Sequence, residues 1–422
     1  MAAKLVARDG QQVTVQITVS LTDSMLDTEE HIQEALNDAG NLVTAEALKE
    51  LDTHGEPLML GSEKWFSKGA LPKKYQTPYG EIEVNRHVYQ RSCGGETWCP
   101  MEDDARIIVT STPRLAKQIS HKYAHNTAGY VQNDLADNHG RVIARSFIQN
   151  VADAVGSIAQ SREETWEYTT PKQNETVSSV AIGVDGTCML MCRGGYREAM
   201  TGTISLYNPE GKRLHTLYVG ATPEHGKATF YERMEREIYG IKQDYPDATY
   251  AGIADGASTN WRFLTQHTDY QILDYYHATE YLSQASKAVN LRNKAEQKAW
   301  FVERCSQLKH EVGAATSILR EMIELSQKKL SKTLKEGLDA AITYFQNHQH
   351  QMNYSDYRQH RLPIGSGVTE SACKVLVKQR LCQAGMRWAE KGAKIVLSLR
   401  SIALSSGRWE QFWQKIDTKG AF

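Results

Sequence analysis

Three acidic residues, Asp185, Asp255 and Glu370, stand where a carboxylate could do chemistry. Asp185 closes the apolar run in "AIGVDGT" and Asp255 closes the one in "AGIADGA", each followed by glycine. Such runs read as buried strands, so both acids leave a rigid backbone at a point where they can face a cleft. Taken singly, Asp-Gly after a strand is an ordinary turn. Glu370 adds a third acid of another kind. In "LPIGSGVTESACKVLVKQRL" it is the one acid of a basic stretch, at the mouth of a helix behind a glycine-serine loop. Three gathered carboxylates repel one another and stay ionised when divalent cations neutralise them, and hard oxygen ligands select Mg2+ or Mn2+. Two such ions would activate a nucleophile and stabilise a leaving oxygen in in-line phosphoryl transfer. Lys374 and Lys378, one and two turns further along, could hold a phosphate backbone.

The elements around these acids suit that role. "SVAIGVDGTCMLM", "REAMTGTISLYN" and "KRLHTLYVGAT" are three strand-like runs separated by turns, followed by a helix from about Glu224 to Asp244. "ATYAGIADGAS" is a further buried strand, then comes a short helix, and "YQILDYYHATEYL" is a strand running into a helix. The order describes an α/β fold with a mixed five-stranded sheet and helices on its faces. From Ser283 onward the strand signal disappears, and Leu308, Val312, Ile318, Leu325, Leu330, Leu334 and Leu338 mark an all-helical insertion before the Glu370 helix.

Upstream, "QVTVQITVSL" alternates as a strand, and short acidic helices follow, with Ala45 and Leu48 on an apolar stripe. "YGEIEVNRHVYQRS" predicts a hairpin strand ending at Cys93, with Cys99 beyond a glycine loop. Cys93 and Cys99 are a candidate zinc pair with His87 as the nearest further donor, but a zinc site takes about four ligands, and a reduced loop is the plainer reading. Thr112-Pro113 caps a helix carrying Leu115, Ile119 and Tyr123 on one face. "TAGYVQNDLADNHGRVIARSFIQNVADAVG" then offers a helix through Leu135, a turn at Asn138-His139-Gly140 and a helix through Phe147 and Val151. That spacing fits a helix-turn-helix with Arg141, Arg145 and Gln149 facing a groove, or an ordinary helical hairpin. Polar "TTPKQNETVSS", residues 169–179, reads as a linker.

At 422 residues, 41% hydrophobic and 9% aromatic, the chain is long enough for two or three folded domains. Nothing in it resembles a membrane span or a signal peptide. Seven cysteines, an odd and scattered set, point away from a disulfide framework and toward a reducing cytoplasm. The net charge of −1 hides an asymmetry: residues 21–57 carry ten acids against Lys49, and residues 358–408 carry ten Lys/Arg against Glu370 and Glu390. A basic block of this size invites a polyanion or forms a solvated helical face.

The spacing of the acids, 70 and then 115 residues, resembles that of the DDE transposases with a ribonuclease H-like fold, the second gap leaving room for the helical insertion of Mutator-like and related bacterial families. "DYYHATEYL" is similar to their motif after the second acid, which puts Asp274 and His277 in its acid/cysteine-x-x-His places. "PIGSGVTESACKVLVKQRLCQAGMRW", "GAKIVLSLRS" and "GRWEQFW" resemble the ISKra-type insertion-sequence transposases most specifically, and the likeness covers roughly residues 75–413. It departs from the relatives in the wide spacing of Cys93 and Cys99.

The resemblance implies a cytoplasmic, nucleoid-associated bacterial protein with no membrane partner. It would bind the terminal inverted repeats of its mobile element, cut double-stranded DNA by metal-assisted hydrolysis, and join the freed 3′-hydroxyls to target DNA. Asp185, Asp255 and Glu370 would hold the metal pair, His277 would position DNA or a phosphate, and Asp274 would orient His277 or its helix. Arg380, Arg387 and Trp388 become DNA-contact candidates, and a dimer or larger assembly on paired ends is expected. The implied organisation is an α+β region at 1–105, a helix-turn-helix domain at 106–168, and a ribonuclease H-like domain at 176–282 and 363–422 around a helical insertion at 283–362. Two other classes are open: a domesticated transposase acting only as a DNA-binding protein, and a ribonuclease H-like nuclease that cuts without joining.

Overall fold

The computed structural model describes residues 3–163, 165–289 and 293–420. They form two compact units, one of Met1–Glu167, Lys394–Ala403 and Arg408–Phe422, the other of Tyr168–Ala393 and Leu404–Gly407. The polar stretch expected to be a linker lies at the join in the chain, and residues 168–178 carry no strand or helix.

The first unit opens with an antiparallel hairpin, β1 (Ala3–Asp9) and β2 (Gln12–Ile17). Where short acidic helices were expected there is one long helix, α1 (Met25–Glu50), capped by the Ser24 hydroxyl on the Asp27 N–H. No proline interrupts it, and its one glycine costs about 1 kcal/mol, too little to break it. A four-stranded antiparallel sheet follows: β3 (Leu58–Leu60), β4 (Glu63–Gln76), β5 (Glu81–Arg91) and β6 (Thr97–Trp98). The 14-residue β4 escaped the sequence reading because "KGALPKK" breaks the alternation, and a bulge lies in that same place, between Ser67 and Ala70. Leu48 of α1 packs with Tyr75, Ile82 and Val84 in a small core that also takes in Cys99, at the start of α2 (Pro100–Asp104).

That placement separates the candidate zinc donors. Cys99 is buried, Cys93 is exposed, and His87 Nδ1 lies 2.8 Å from Asp52 Oδ2. Each has a local structural setting, and among the described residues they form no metal-binding group.

Three helices complete the N-terminal part: α3 (Pro113–His125), α4 (Ala128–His139) and α5 (Arg145–Arg162). Leu115, Ile119 and Tyr123 are buried, as their spacing predicts. Helix α4 ends at Gly140, and an irregular segment, rather than a tight turn, leads to α5. Arg141, a groove-facing candidate, is instead buried: its guanidinium donates to the Thr77 carbonyl (3.2 Å) and to Gln76 Oε1 (2.7 Å). Gln149 is also engaged internally, accepting from the Tyr123 hydroxyl (3.0 Å) and donating to Asp153 (2.7 Å). Arg145 alone of the three is exposed.

The second unit contains a mixed five-stranded sheet, as expected. Its strands are β7 (Ser179–Leu190), β8 (Tyr196–Tyr207), β9 (Arg213–Ala221), β10 (Thr249–Ala254) and β11 (Tyr270–Leu273), in the order β11-β10-β7-β8-β9. The first three are antiparallel neighbours, and β10 runs parallel to both β7 and β11. Helices α6 (Ala228–Asp244) and α7 (Ser258–His267) make the crossovers, and α8 (Tyr275–Ser286) follows the last strand. Burial is nearly continuous along β10, which is why it reads as an unbroken apolar run.

The insertion supplies α9 (Lys294–His310), α10 (Ala314–Ser326), α11 (Lys332–His348) and α12 (Tyr354–Gln359). Leu308, Ile318, Leu325 and Leu338 are buried and join the same apolar core as the sheet. Val312, expected inside, is 80% exposed in the turn between α9 and α10. Helix α13 (Gly367–Ala372) continues through a wider π-type turn, Cys373–Lys378, into α14 (Gln379–Leu381). Most of α15 (Glu390–Leu404) and all of α16 (Arg408–Lys419) belong to the first unit, not to the sheet-bearing one with which 363–422 was grouped. There the Arg400 guanidinium donates to the Ala124 carbonyl (2.6 Å) at the end of α3. Among the described residues, no helix is long and apolar enough to cross a membrane.

Arg141 gives a direct check on this arrangement. Arg141→Ala removes both donors from buried acceptors and should lower the unfolding free energy by about 1–3 kcal/mol in urea denaturation. Wild-type stability in that variant would mean the side chain is not buried at the hairpin.

Candidate active site

Asp185 does not end its strand. β7 runs on to Leu190, and Asp185 lies in register with Thr201 of β8, well inside the sheet. Asp255 does follow its strand directly. β10 pairs with β7 up to Ile253 opposite Gly183, so continuing that register by two residues brings Asp255 level with Asp185. Asp255 itself lies in the bend after β10, where its Oδ1 accepts the Ala257 N–H (3.2 Å). The two acids are therefore near through strand pairing, although 70 residues separate them.

Glu370 comes to the same place by a different contact. The sheet is notched at Gly183, where an added Cβ would collide with the Thr369 hydroxyl of α13. The buried Thr369 hydroxyl bonds the Thr203 hydroxyl of β8 at 2.7 Å. Helix α13 thus lies directly on the centre of the sheet, one residue before Glu370. On the next turn the Cys373 thiol donates to Asp185 Oδ2 (3.4 Å), and the Gly186 N–H donates to Asp185 Oδ1 (2.7 Å). The thiol's own pKa is pushed up to about 12, mainly by burial, so it remains a proton donor to Asp185. Asp185, Glu370, Cys373, Lys374 and Lys378 line one open cleft of about 580 Å³.

The electrostatics agree with the geometry. Burial raises the affinity of Asp185 for a proton; the Gly186 and Cys373 donors oppose this, and the charges of Asp255 and Glu370 push it up further. Three carboxylates therefore interact around a half-buried position with two lysines at the mouth. Among the described residues, no three His, Cys, Asp or Glu side chains are drawn together into a closed metal-binding group. The donor set is nevertheless of the right chemistry: hard carboxylate oxygens, mutual repulsion and a rigid β7 backbone suit a divalent cation.

Asp274 and His277 are joined to this site. Asp274 is fully buried and caps α8, accepting from the His277 N–H on Oδ1 (2.7 Å). Its Oδ2 accepts the N–H of Ser366, the residue that begins the Glu370 helix. The Ser366 hydroxyl in turn donates to Glu370 Oε1 (2.7 Å). One carboxylate therefore holds together the start of α8 and the start of α13. His277 Nε2 stands 4.0 Å from Glu370 Oε1.

The remaining basic-segment candidates divide. Lys374, Lys378 and Arg387 are exposed. Arg380 is only 2% exposed, with its guanidinium 5.2 Å from the ring centroid of Trp388. Trp388 donates its indole N–H to the Leu381 carbonyl (2.9 Å), and its backbone bonds with Leu190 and Cys192 at the end of β7. Arg380 is thus buried in the fold of the segment and Trp388 is half-buried, where the chain after α14 doubles back on β7.

Two residues of the insertion went unrecognised in the sequence. The Tyr344 hydroxyl of α11 donates to the Asp255 carbonyl (2.8 Å), and its ring stacks on Tyr281 of α8 at 3.9 Å. Gly256 has φ +109, a conformation that glycine alone adopts without strain, and a Cβ there would sit 3.2 Å from His348 Nε2. The insertion thus braces the turn carrying Asp255. No periodic signal marks Tyr344 or His348, because their role comes from a contact 89 residues away in the chain.

No protein-family model matches the chain, and no curated protein matches it. What the cleft does must be read from its own side chains.

Gly183→Val should destabilise the protein by about 1–3 kcal/mol by overpacking the notch, read as a lower denaturation midpoint. A neutral result would mean that α13 does not rest on β7. Asp274→Asn should cost about 2–4 kcal/mol although it is nearly isosteric, since its amide would face one of two backbone N–H donors. The same denaturation assay checks it, and wild-type stability would refute the double cap.

Proposed function

We propose that the chain is a DDE-type DNA transposase whose second unit is a ribonuclease H-like catalytic domain. The observation that carries this reading is that Asp185 of the first strand and Glu370 of a late helix line one cleft, while the charge of Asp255, just past the fourth strand, acts on Asp185. That is the order in which the resemblance requires its three acids. Support also comes from the position of β7, between antiparallel β8 and parallel β10.

Asp185, Asp255 and Glu370 would hold Mg2+ or Mn2+, which supplies charge stabilisation to the oxygens exchanged at phosphorus. The protein's own groups do the rest. Cys373 and the Gly186 N–H fix the orientation of Asp185, and Ser366 fixes that of Glu370. Lys374 and Lys378 line the cleft and would neutralise a DNA backbone there. His277, next to Glu370, would contact a phosphate. In the first unit, α4 and α5 are the proposed end-binding helices, with Arg145 the exposed candidate for base or phosphate contact.

The test is cleavage and strand transfer on DNA carrying the terminal repeats that flank the coding sequence, with and without Mg2+ or Mn2+. Wild-type protein should nick and join only with metal. Asp185→Ala and Glu370→Gln should each lose activity by about a thousandfold or more while still binding the ends. Undiminished cleavage by Glu370→Gln would sink the assignment. Cleavage without joining of pre-cut ends would replace it with a nuclease.

A further inference from the structure

The chain that carries Glu370 follows β7 past the cleft to the end of its hairpin. Cys373 reaches Asp185, and Lys374 and Lys378 line the cleft with Thr187. Further on, the Cys382 thiol lies 3.7 Å from the Cys188 carbonyl. Trp388 then pairs with Met191 in a parallel bridge: its N–H donates to the Leu190 carbonyl (3.1 Å), and its carbonyl accepts from the Cys192 N–H (2.8 Å). The exposed turn between β7 and β8, residues 192–195, comes next. The end of β7 is thus held on one edge by β8 and on the other by Trp388.

Exposed positive charge runs along this whole route. Lys374, Lys378 and Arg387 lie on the returning chain, and Arg193 and Arg197 on the hairpin. All five are exposed, and none has an ion-pair partner among the described residues. Arg197 stands opposite Met189, four residues from Asp185, so strand alternation places it on the Asp185 face of the sheet. Glu198 is the one acid in residues 186–200. It stands opposite Cys188, on the other face, and its Oε2 pairs with Lys227 Nζ at 2.6 Å. Unpaired guanidinium groups on a backbone fixed at both edges suit the paired oxygens of a phosphodiester. From Asp185 to Met191 the strand advances about 20 Å, which a duplex covers in about six base pairs.

We infer that this track binds the backbone of duplex DNA from the carboxylate cleft to the β7–β8 turn, with Arg193 and Arg197 holding phosphates about six base pairs from the bond to be cut. The inference rests on the transposase reading for the cut and for the identity of the polyanion, but not for the track.

The first measurement is binding of the full chain to a duplex of about 30 base pairs and arbitrary sequence over a range of salt, where each phosphate contact adds about 0.9 to the slope of log affinity against log salt. Arg193→Gln and Arg197→Gln should each lower the slope by about 0.9, and the double variant by about 1.8. The denaturation midpoint should stay unchanged, because both side chains are exposed. Arg262→Gln, the same charge change on α7, should leave the slope alone. Gly252, level with Ile182, faces Leu264 of α7, which puts that helix on the sheet face opposite Asp185. The second measurement is ethylation interference on terminal-repeat DNA, with the nick marking the cut. Ethylated phosphates about six base pairs from the nick should block binding of the wild type, and the double variant should lose that signal. An unchanged slope in the double variant overturns the track, while wild-type nicking would keep the transposase reading. An equal fall in Arg262→Gln also overturns it, as does interference confined to phosphates beside the nick. Tighter binding of duplex RNA than of DNA overturns DNA as the occupant. Wild-type protein that binds no duplex at all overturns both the track and the transposase reading.

Discussion

The second unit depends on how closely a helix can lie on the centre of its sheet. A β-strand residue with a side chain holds a helix off by the thickness of that side chain. At Gly183 there is none, and the Thr369 side chain of α13 occupies the gap, bonded to Thr203 on the neighbouring strand. This close approach sets the height of α13 above β7. Cys373 then reaches Asp185, and Glu370 lines the same cleft, because the next turns of the helix are already at the sheet surface. The wider turn at Cys373–Lys378 belongs to the same contact, and such turns commonly occur where a helix carries functional side chains.

The cleft is held by second contacts around each acid rather than by the acids themselves. Like charges separate unless something opposes them, and here the opposition is structural. Strand pairing holds Asp185, Tyr344 grips the turn of Asp255, and the Asp274–Ser366 pair holds the start of the Glu370 helix. The insertion therefore belongs to the site as well as to the core. Its apolar residues join the sheet's own core, so it cannot be removed without exposing that core to water.

Much of this was legible in the chain and some was not, for identifiable reasons. The strands of the second unit could be read because buried strands carry continuous apolar runs bounded by turn residues. Helix α3 could be read from Thr112-Pro113 and its buried face. The 14-residue β4 was missed because its bulge breaks the period-two pattern, and α1 was read as several helices because its charges obscured one continuous element. Arg141 and Arg380 were read as facing outward because their residue type suits nucleic acid, and Trp388 was open to either a DNA contact or a core role. Arg141 is turned inward by the Thr77 carbonyl, 64 residues away, whereas Arg380 is buried against the ring of Trp388, whose indole bonds the Leu381 carbonyl only seven residues back.

The local sequence by itself determined the order of strands and helices in the second unit and the types of the three acids, since these follow from periodicity, turn residues and charge. Only the tertiary structure decided which acids meet, which cations face solvent and what the insertion is for. Those properties depend on register between strands 70 residues apart, on a missing side chain at Gly183, and on hydrogen bonds such as Tyr344 to Asp255 across 89 residues. No local pattern encodes a contact of that kind, because its energy exists only once both partners have been brought out of water and against each other.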